Sequence, residues 1–458
     1  MIIASRVLRF KTYIIIILYA ILAVGIGLFV VEGSDEWRGL LVSVLIIGVA
    51  SFFLLPRMSR LDDWKPLWRV ITAGLVLKLG FSLLLIWIGF VVYGGMVDAI
   101  SYHYTGAGIA QNIWRLRFDQ VIPYMHWSTD SISLFTGVIY SIIGPTLYGG
   151  FLIYACLAFL GSYFFYRAFR VAFPQGDRWL YAILVFFFPS LLLWSNGIGK
   201  DALISLFLGL FACGVAQLYR NRLSGFLPLA IGLLGAMWIR PHIAAILALA
   251  LIIAFIIPER GKGSARSVMS VIGLLLVGGV VWFLLPRLMP FLSIEELSME
   301  GILSFFQRQQ SLTFAGGSAF QAIDISNPLN FPIVMATVLF RPFPWEAHNL
   351  QALIQSVEGL FFIILVLWKV KSLCRALAFS TSNVYVRFIL IFVVAFIIAY
   401  GSVQNFGTLA RWRTMMLPFF FVLIACAPAD VRQQSSIPDR LQDNGSRLQV
   451  VPYGQVGQ

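Results

Sequence analysis

Charged residues are scarce in this chain, and their scarcity narrows the fold class at once. Only 12% of the 458 residues are charged, about half the share in a soluble protein, and 60% are hydrophobic. A soluble core cannot enclose that much apolar surface, which excludes a soluble enzyme and a disordered chain. The apolar residues form long runs instead of alternating with polar ones, which excludes a porin-like barrel. The sequence therefore predicts an all-α, polytopic helical membrane protein.

Cysteine is also scarce, and its placement argues against a disulfide framework. The chain has four cysteines. Cys156, Cys213 and Cys426 lie in long apolar runs, and Cys374 lies in a basic connecting segment. None falls in a segment that we expect to face the outside. The sequence therefore predicts no disulfide and excludes a secreted disulfide scaffold.

Long apolar runs are abundant, and they predict the membrane topology. A helix needs about 17 to 25 apolar residues to cross roughly 30 Å of hydrocarbon. No signal-peptide cleavage site follows the first run, which we interpret as a retained span. About twelve transmembrane helices are predicted, at 12–31, 39–56, 70–93, 148–168, 179–196, 201–219, 224–239, 243–257, 268–285, 350–368, 386–401 and 413–428.

The net charge of +13 follows this topology. With the N-terminus inside, 22 of the 33 lysines and arginines fall in inner segments, ten fall outside, and Lys78 lies within a span. The positive-inside rule then predicts an even number of spans with both termini in the cytoplasm. The basic excess thus indicates membrane orientation, and we expect no nucleic-acid partner.

Two long outer segments, 94–147 and 286–349, interrupt the series of spans. Each contains an apolar stretch too short to cross the membrane, at 131–144 and 331–340. Such stretches are typical of interfacial or re-entrant helices. The polar tail, 429–458, is predicted to be disordered and cytoplasmic.

All four histidines fall on the predicted outer face, and so do the charged residues closest to the span ends. The inner segments contain no histidine. Charges beside hydrocarbon are costly and tend to be kept for function. The residues in question are His103, His126, His242 and His348 together with Asp98, Lys200, Asp201, Arg240, Arg341, Glu346, Arg411 and Arg413.

The first cluster follows the third predicted span and reads Asp98-Ala-Ile-Ser-Tyr102-His103-Tyr104. If this segment is helical, Tyr102 lies one turn after Asp98 on the same face. The Asp98 carboxylate could act as a general base or hold a divalent cation, and it could equally cap an interfacial helix. For His103, the alternative to a catalytic role is that of an interface anchor. Asp98, Tyr102 and His103 are the candidate catalytic residues.

A second cluster, Asn196-Gly-Ile-Gly199-Lys200-Asp201, opens a predicted helix with a cation and an acid. A helix N-terminus attracts anions through its free amides, and Lys200 would add a point charge for phosphate. The spacing is not that of a Walker A loop. A capped hairpin with Asp201 in the first helical turn is the structural alternative, and both interpretations stay open.

Arginine forms a third group at the outer ends of predicted spans. Its guanidinium offers a planar fork to phosphate or diphosphate oxygens. Each arginine could instead be an interface anchor beside the tryptophans of the headgroup level. Together with Lys200 and Asp201, the candidate residues for binding a phosphate-bearing lipid donor are Arg240, His242, Arg341, Arg411 and Arg413.

Two charged residues, Lys78 and Glu358, lie within predicted spans. They could pair with each other, or Lys78 could extend to the inner interface. A proton or ion path would need more groups of this kind, which counts against an ion-coupled transporter.

The order of these features resembles the GT-C superfamily of membrane glycosyltransferases, of the polyprenyl-phosphate-sugar-dependent type found in bacterial exopolysaccharide and O-antigen clusters. The resemblance covers roughly residues 75–219 and implies a GT-C-like module at 70–428 behind a two-helix extension at 1–69. It rests on the outer loop at 98–109, on the later hairpin from Phe188-Pro189-Ser190 to Lys200-Asp201, and on Arg411-Trp412-Arg413.

This resemblance implies sugar transfer from a polyprenyl phosphate or diphosphate to a glycan or lipid acceptor, at the periplasmic face of a bacterial inner membrane. Asp98 would deprotonate the acceptor hydroxyl, and Lys200 with some of the arginines would hold the phosphate. No resident cofactor is implied, and a divalent cation stays open. The alternatives are a polysaccharide polymerase or ligase and, from another class, a lipid-linked oligosaccharide flippase, for which we find no symmetric repeat.

Overall fold

The computed structural model describes residues 35–60, 62, 64, 66–92, 94–95, 97–125, 129–257 and 327–426, with scattered positions between 275 and 324. The predicted span 12–31, nearly all of 268–285, His126 and the tail 429–458 lie outside the described residues. Within the described ranges the secondary structure is helical, and the β pairing is limited to one isolated bridge between Ala319 and Asn405. The all-α prediction is therefore confirmed for this part of the chain.

The helices described in the first half of the chain include both long apolar elements and shorter ones. They are α1 (Asp35–Arg60), α2 (Leu67–Val91), α3 (Asp98–Trp114), α4 (Thr129–Ile143), α5 (Leu147–Ala172), α6 (Arg178–Phe187), α7 (Pro189–Leu193) and α8 (Lys200–Tyr219).

Helices in the second half are shorter on average. They are α9 (Phe226–Ile239), α10 (Pro241–Ile256), α11 (Phe331–Phe340), α12 (Leu350–Trp368), α13 (Val370–Phe379), α14 (Val384–Tyr400), α15 (Phe406–Arg413) and α16 (Leu417–Ala425). Short 3-10 turns occupy Phe118–Gln120, Ile122–Met125, Leu223–Gly225, Pro328–Asn330 and Pro344–Glu346.

Five described helices are long and apolar enough to cross a membrane, namely α1, α2, α5, α8 and α12. The number rises to seven if the bent pairs α13–α14 (113°) and α15–α16 (57°) each form one span. The runs predicted as spans at 224–239 and 243–257 become helices of 14 and 16 residues. At 1.5 Å per residue these helices are only about 21 and 24 Å long, shorter than the hydrocarbon layer. Twelve spans are thus not found among the described residues.

The run predicted as one span at 179–196 is interrupted in the structure. Phe188 adopts an extended conformation, and Pro189 begins a new, five-residue helix. A proline has no amide hydrogen to donate, and it disfavours helical geometry in the residue before it. The chain after α7 is irregular and buried, and it leads to the first residue of α8.

Glycines allow α5, α8 and α9 to pack at close range. A Cβ atom at Gly161 of α5 would lie 2.4 Å from the carbonyl oxygen of Ser205, and one at Gly209 of α8 would lie 2.4 Å from that of Gly161. A Cβ atom at Gly232 of α9 would lie 2.3 Å from the amide nitrogen of Phe211. Small residues at helix contacts let backbones approach in the manner common among membrane helices.

Residues from segments that we predict to be cytoplasmic meet at one end of the helices. Asp62 forms ion pairs with Arg170 (2.6 Å) and Arg178 (3.4 Å), and Asp177 pairs with Lys369 at 3.9 Å. These segments are far apart in sequence, so their meeting supports the predicted division of charges between two ends. Which end faces the cytoplasm stays a prediction.

The two short apolar stretches in the long outer segments do form helices. The stretch at 131–144 lies in α4 except for its last residue, and α4 packs along α3; the stretch at 331–340 is α11. Their helical structure is confirmed, and their interfacial location stays a prediction.

Candidate functional site

A buried carboxylate, Asp201, joins two arginines from distant parts of the chain. Its side chain is 4% exposed. Arg240 Nη2 donates a hydrogen bond to Oδ1 at 2.8 Å, and Arg411 Nε donates to Oδ2. Both carboxylate oxygens are thereby engaged by guanidinium groups. We call Arg240, Asp201 and Arg411 the arginine–aspartate triad.

Helix ends place the triad where three elements meet. Asp201 lies in the first turn of α8, and Arg240 lies at the junction where α9 ends and Pro241 begins α10. Proline is well tolerated at a first helical position, so the chain can turn sharply at Arg240. The Asn405 side chain caps α15 by accepting from the amide of Thr408, and this helix carries Arg411 in its last turn.

Asp98 lies at the solvent-facing edge of the triad. Its side chain is 73% exposed, and its Oδ2 atom lies 3.9 Å from Arg411 Nη1. Tyr102 follows one turn later on α3, as the spacing predicts, and its side chain is buried. Burial raises the pKa of Tyr102, and the negative charge of Asp98 raises it further. The Tyr102 hydroxyl is therefore protonated at neutral pH and can donate a hydrogen bond.

His103 turns away from this group. Its Nδ1 atom lies 2.7 Å from the hydroxyl of Tyr140 on α4, and the two rings stack edge to face. Burial lowers the pKa of His103, against a smaller opposing effect of Glu36, so the imidazole is neutral at pH 7. The structure thus places two of the three candidate catalytic residues beside the triad and the third against α4.

Lys200 precedes Asp201 and lies beside the first turn of α4. Its ammonium donates to Thr129 Oγ1 at 2.9 Å. The predicted adjacency of a cation and an acid at the start of this helix is therefore present. The two side chains differ in their roles, because Asp201 binds arginines while Lys200 contacts the polar start of a neighbouring helix.

The other two arginines form a separate group. Arg341 pairs with Glu346, with 3.0 Å between Nε and Oε2, and its guanidinium lies over the ring of Phe320 at 4.5 Å. The buried Arg413 donates through Nη2 to the carbonyl oxygen of Arg341. The four arginines therefore divide into two pairs, and only Arg240 and Arg411 bind Asp201 among the described residues.

An aromatic floor that sequence reasoning missed lies beside the triad. Arg240 stacks over Trp412 at 5.6 Å, Trp412 meets Tyr400 edge to face at 5.1 Å, and Tyr400 lies 6.2 Å from the ring of His242. In the sequence, the tryptophan between Arg411 and Arg413 is the feature that could have indicated these aromatic contacts. In the described part of the chain, neither Arg240 Nε nor the Tyr400 hydroxyl has a hydrogen-bond partner. Buried polar atoms without a partner are uncommon in folded proteins.

The two intramembrane charges do not pair with each other. Lys78 Nζ donates to the carbonyl oxygen of Leu191 (2.8 Å), to Ser195 Oγ (3.0 Å) and to Asn196 Oδ1 (3.2 Å). Glu358 instead accepts a hydrogen bond from Ser190. Both expectations for Lys78, pairing with Glu358 and extension to the inner interface, are therefore wrong. Each charge binds the irregular segment between α6 and α8.

Acidic residues and histidines do not form a candidate metal site in the part of the chain that the structure describes. Among the residues that the structure describes, no three histidine, cysteine, aspartate or glutamate side chains gather closely enough to hold a metal ion. His348 lies exposed beyond the Arg341–Glu346 pair.

Comparisons of the chain with family models, curated proteins and solved structures find no match.

Proposed function

We propose that this chain is a membrane glycosyltransferase of the bacterial inner membrane, with its site at the periplasmic face. It would transfer a sugar from a polyprenyl phosphate or diphosphate to a glycan or lipid acceptor of cell-surface polysaccharide. The observation that carries the proposal is the arginine–aspartate triad, which lies beside Lys200 and the exposed Asp98 among strongly apolar helices.

The triad suits recognition of a phosphate attached to a lipid. Asp201 fixes two guanidinium groups, and fixed donors bind phosphate at a lower entropic cost than mobile ones. The side chain of Arg411 is 33% exposed, so its guanidinium can contact a ligand, and the buried Arg240 holds the other oxygen of the same carboxylate. Lys200 adds a third cation, and the apolar helices offer walls for a prenyl chain.

The chemical step follows from this arrangement. The acceptor hydroxyl attacks the anomeric carbon, a new carbon–oxygen bond forms, and the bond between that carbon and the phosphate oxygen breaks. The phosphate leaves with the bonding electrons, and its growing charge is stabilised by Arg240, Arg411 and Lys200. Asp98 receives the proton of the acceptor, since its carboxylate is open to the outside. Tyr102 can donate a hydrogen bond to either substrate.

A polysaccharide polymerase or ligase is the second candidate. Such an enzyme uses the same kind of lipid donor, and we expect it to depend on arginine more than on a carboxylate base. One observation favours it: Asp98 is 73% exposed and lies 3.9 Å from Arg411, beyond hydrogen-bond distance, whereas the arginines are firmly held.

Transfer by the purified protein tests the proposal directly. The protein is reconstituted in lipid vesicles with a polyprenyl-phosphate sugar and an acceptor, and mass spectrometry follows the lipid product. We expect Asp98→Asn to lower the turnover by about 100-fold or more, the size of a lost general base. The matched control is Asp119→Asn, an exposed acid in the turn after α3. Full transfer by a folded Asp98→Asn protein would favour the polymerase. Movement of the unchanged donor from one leaflet of the vesicle membrane to the other would favour a flippase.

A further inference from the structure

We propose that Lys78 and Glu358 are positioning residues that hold the interrupted segment between α6 and α8 from two sides. In this way they fix where Lys200 and Asp201 stand. The segment comprises residues 188–199, and we call Lys78, Ser82 and Glu358 its two-sided clamp. The part of the inference that concerns catalysis rests on the proposed function.

The first side of the clamp is α2. The Lys78 side chain is buried, and its three hydrogen bonds all reach the interrupted segment, at Leu191, Ser195 and Asn196. One turn later, Ser82 Oγ donates to the carbonyl oxygen of Asn196 at 2.9 Å. An ammonium has three protons to donate, so this environment satisfies Lys78 completely without a carboxylate.

The second side of the clamp is α12. Glu358 lies within this apolar helix and accepts a hydrogen bond from Ser190, the second residue of α7. The charge of Arg413 acts on Glu358 from α15. The carboxylate thus holds the start of the short helix while the ammonium holds its end and the chain beyond it.

The depth of these groups explains why hydrogen-bonding side chains are needed there. Lys78 lies 13 residues before the end of α2, about 20 Å along the helix axis. Irregular backbone at membrane depth is tolerated only when protein groups satisfy its hydrogen bonds. The ammonium and the serine hydroxyl donate to the carbonyl oxygens of Leu191 and Asn196, and the Ser195 hydroxyl donates to that of Leu191 as well.

The segment leads directly into the site. Asn196, which both Lys78 and Ser82 bind, is only four residues before Lys200, the first residue of α8. A shift of this chain would move Lys200 and Asp201 relative to Arg240 and Arg411. The clamp therefore acts on the site through Lys200 and Asp201 and does not touch the substrate.

Hydrogen exchange of the intact protein tests the clamp without any substrate. We expect the amides of residues 190–199 to exchange roughly tenfold faster in Lys78→Met and roughly threefold faster in Ser82→Ala, the effect of losing buried hydrogen bonds. Ser82→Ala keeps the inference testable if Lys78→Met does not fold. The matched control is Ser162→Ala, because the Ser162 hydroxyl donates only within its own helix, to Ala158 at 3.4 Å. Unchanged exchange in Ser82→Ala and in every folded Lys78 variant would overturn the clamp.

A double-mutant cycle tests the link to the site. If Lys78 acts through Lys200 and Asp201, the loss of kcat/KM in Lys78→Met with Lys200→Ala should be smaller than the product of the two single losses. Multiplying losses would overturn the positioning role, even where exchange is faster. If the wild-type protein transfers no sugar, the proposed function fails, and the exchange experiment alone still decides whether the clamp exists.

Discussion

Removing the charge of Asp201 is the most direct test of the arginine–aspartate triad. Asp201→Asn keeps the size of the side chain but leaves two cations facing a neutral amide. The side chains of Asp201 and Arg240 are 4% and 8% exposed, so this pair is shielded from water. Breaking a buried ion pair costs about 3–5 kcal/mol, because an uncompensated charge remains. Arg411 is 33% exposed, so solvent screening makes its contribution smaller.

We therefore expect Asp201→Asn to lower the free energy of unfolding by about 3–5 kcal/mol. The assay is reversible denaturation of the purified protein in a fixed lipid or detergent, with Asp119→Asn as the exposed-acid control. Replacing both partners, as in Asp201→Asn with Arg240→Gln, should cost less than the sum of the single changes. An Asp201→Asn protein within about 0.5 kcal/mol of the wild type would refute the triad as a buried, coupled group.

Three further predictions concern packing, pH and accessibility. Gly161→Leu should destabilise the fold by at least about 1–3 kcal/mol, the usual cost of overpacking, since even a Cβ atom would meet the carbonyl oxygen of Ser205 at 2.4 Å; thermal unfolding measures it. Burial opposes ionisation of Asp62, but hydrogen bonds from Tyr166 and Arg170 outweigh this effect and lower the pKa of Asp62 below the ordinary 3.8. The contribution of Asp62 to the free energy of unfolding should therefore be complete above pH 3.8 and fade below it. A pH series of unfolding measurements with Asp62→Asn as the reference checks this prediction. Cys374 is exposed and should react with an impermeant maleimide from the cytoplasmic side only; labelling from the outside would reverse the predicted topology.

Local features of the candidate site were readable from the sequence. Asp98 and Tyr102 fall on one helical face because helical geometry depends only on neighbours in the chain. Lys200 and Asp201 open a helix for the same reason. The grouping of Arg240 with Arg411, and of Arg413 with Arg341, depends on how distant helices pack, and no spacing in the sequence encodes it.

The span count shows a different limit. An apolar run does not reveal a break of one extended residue. The run at 179–196 is therefore continuous in hydropathy, although Phe188 is extended and Pro189 begins a new helix. The helices at 226–239 and 241–256 are as apolar as true spans, and only their ends in the structure reveal that they are short. Lys78 and Glu358 suggested an ion pair because opposite charges in apolar surroundings attract. Unsatisfied polar groups of the interrupted segment attract them more, since such groups have no water to bind.

The interrupted segment also has a consequence for the order of membrane assembly. Lys78 is 113 residues ahead of Leu191, so the helix that carries it is synthesised before that carbonyl. Glu358 follows Ser190 by 168 residues, and Arg411 follows Asp201 by 210. The segment is therefore synthesised after the helix that binds it on one side and before the helix that binds it on the other. We expect a chain truncated before α12 to retain α8 but to lack the contacts that Glu358 makes with Ser190 and that Arg411 makes with Asp201. The site would then be complete only once the C-terminal helices are present.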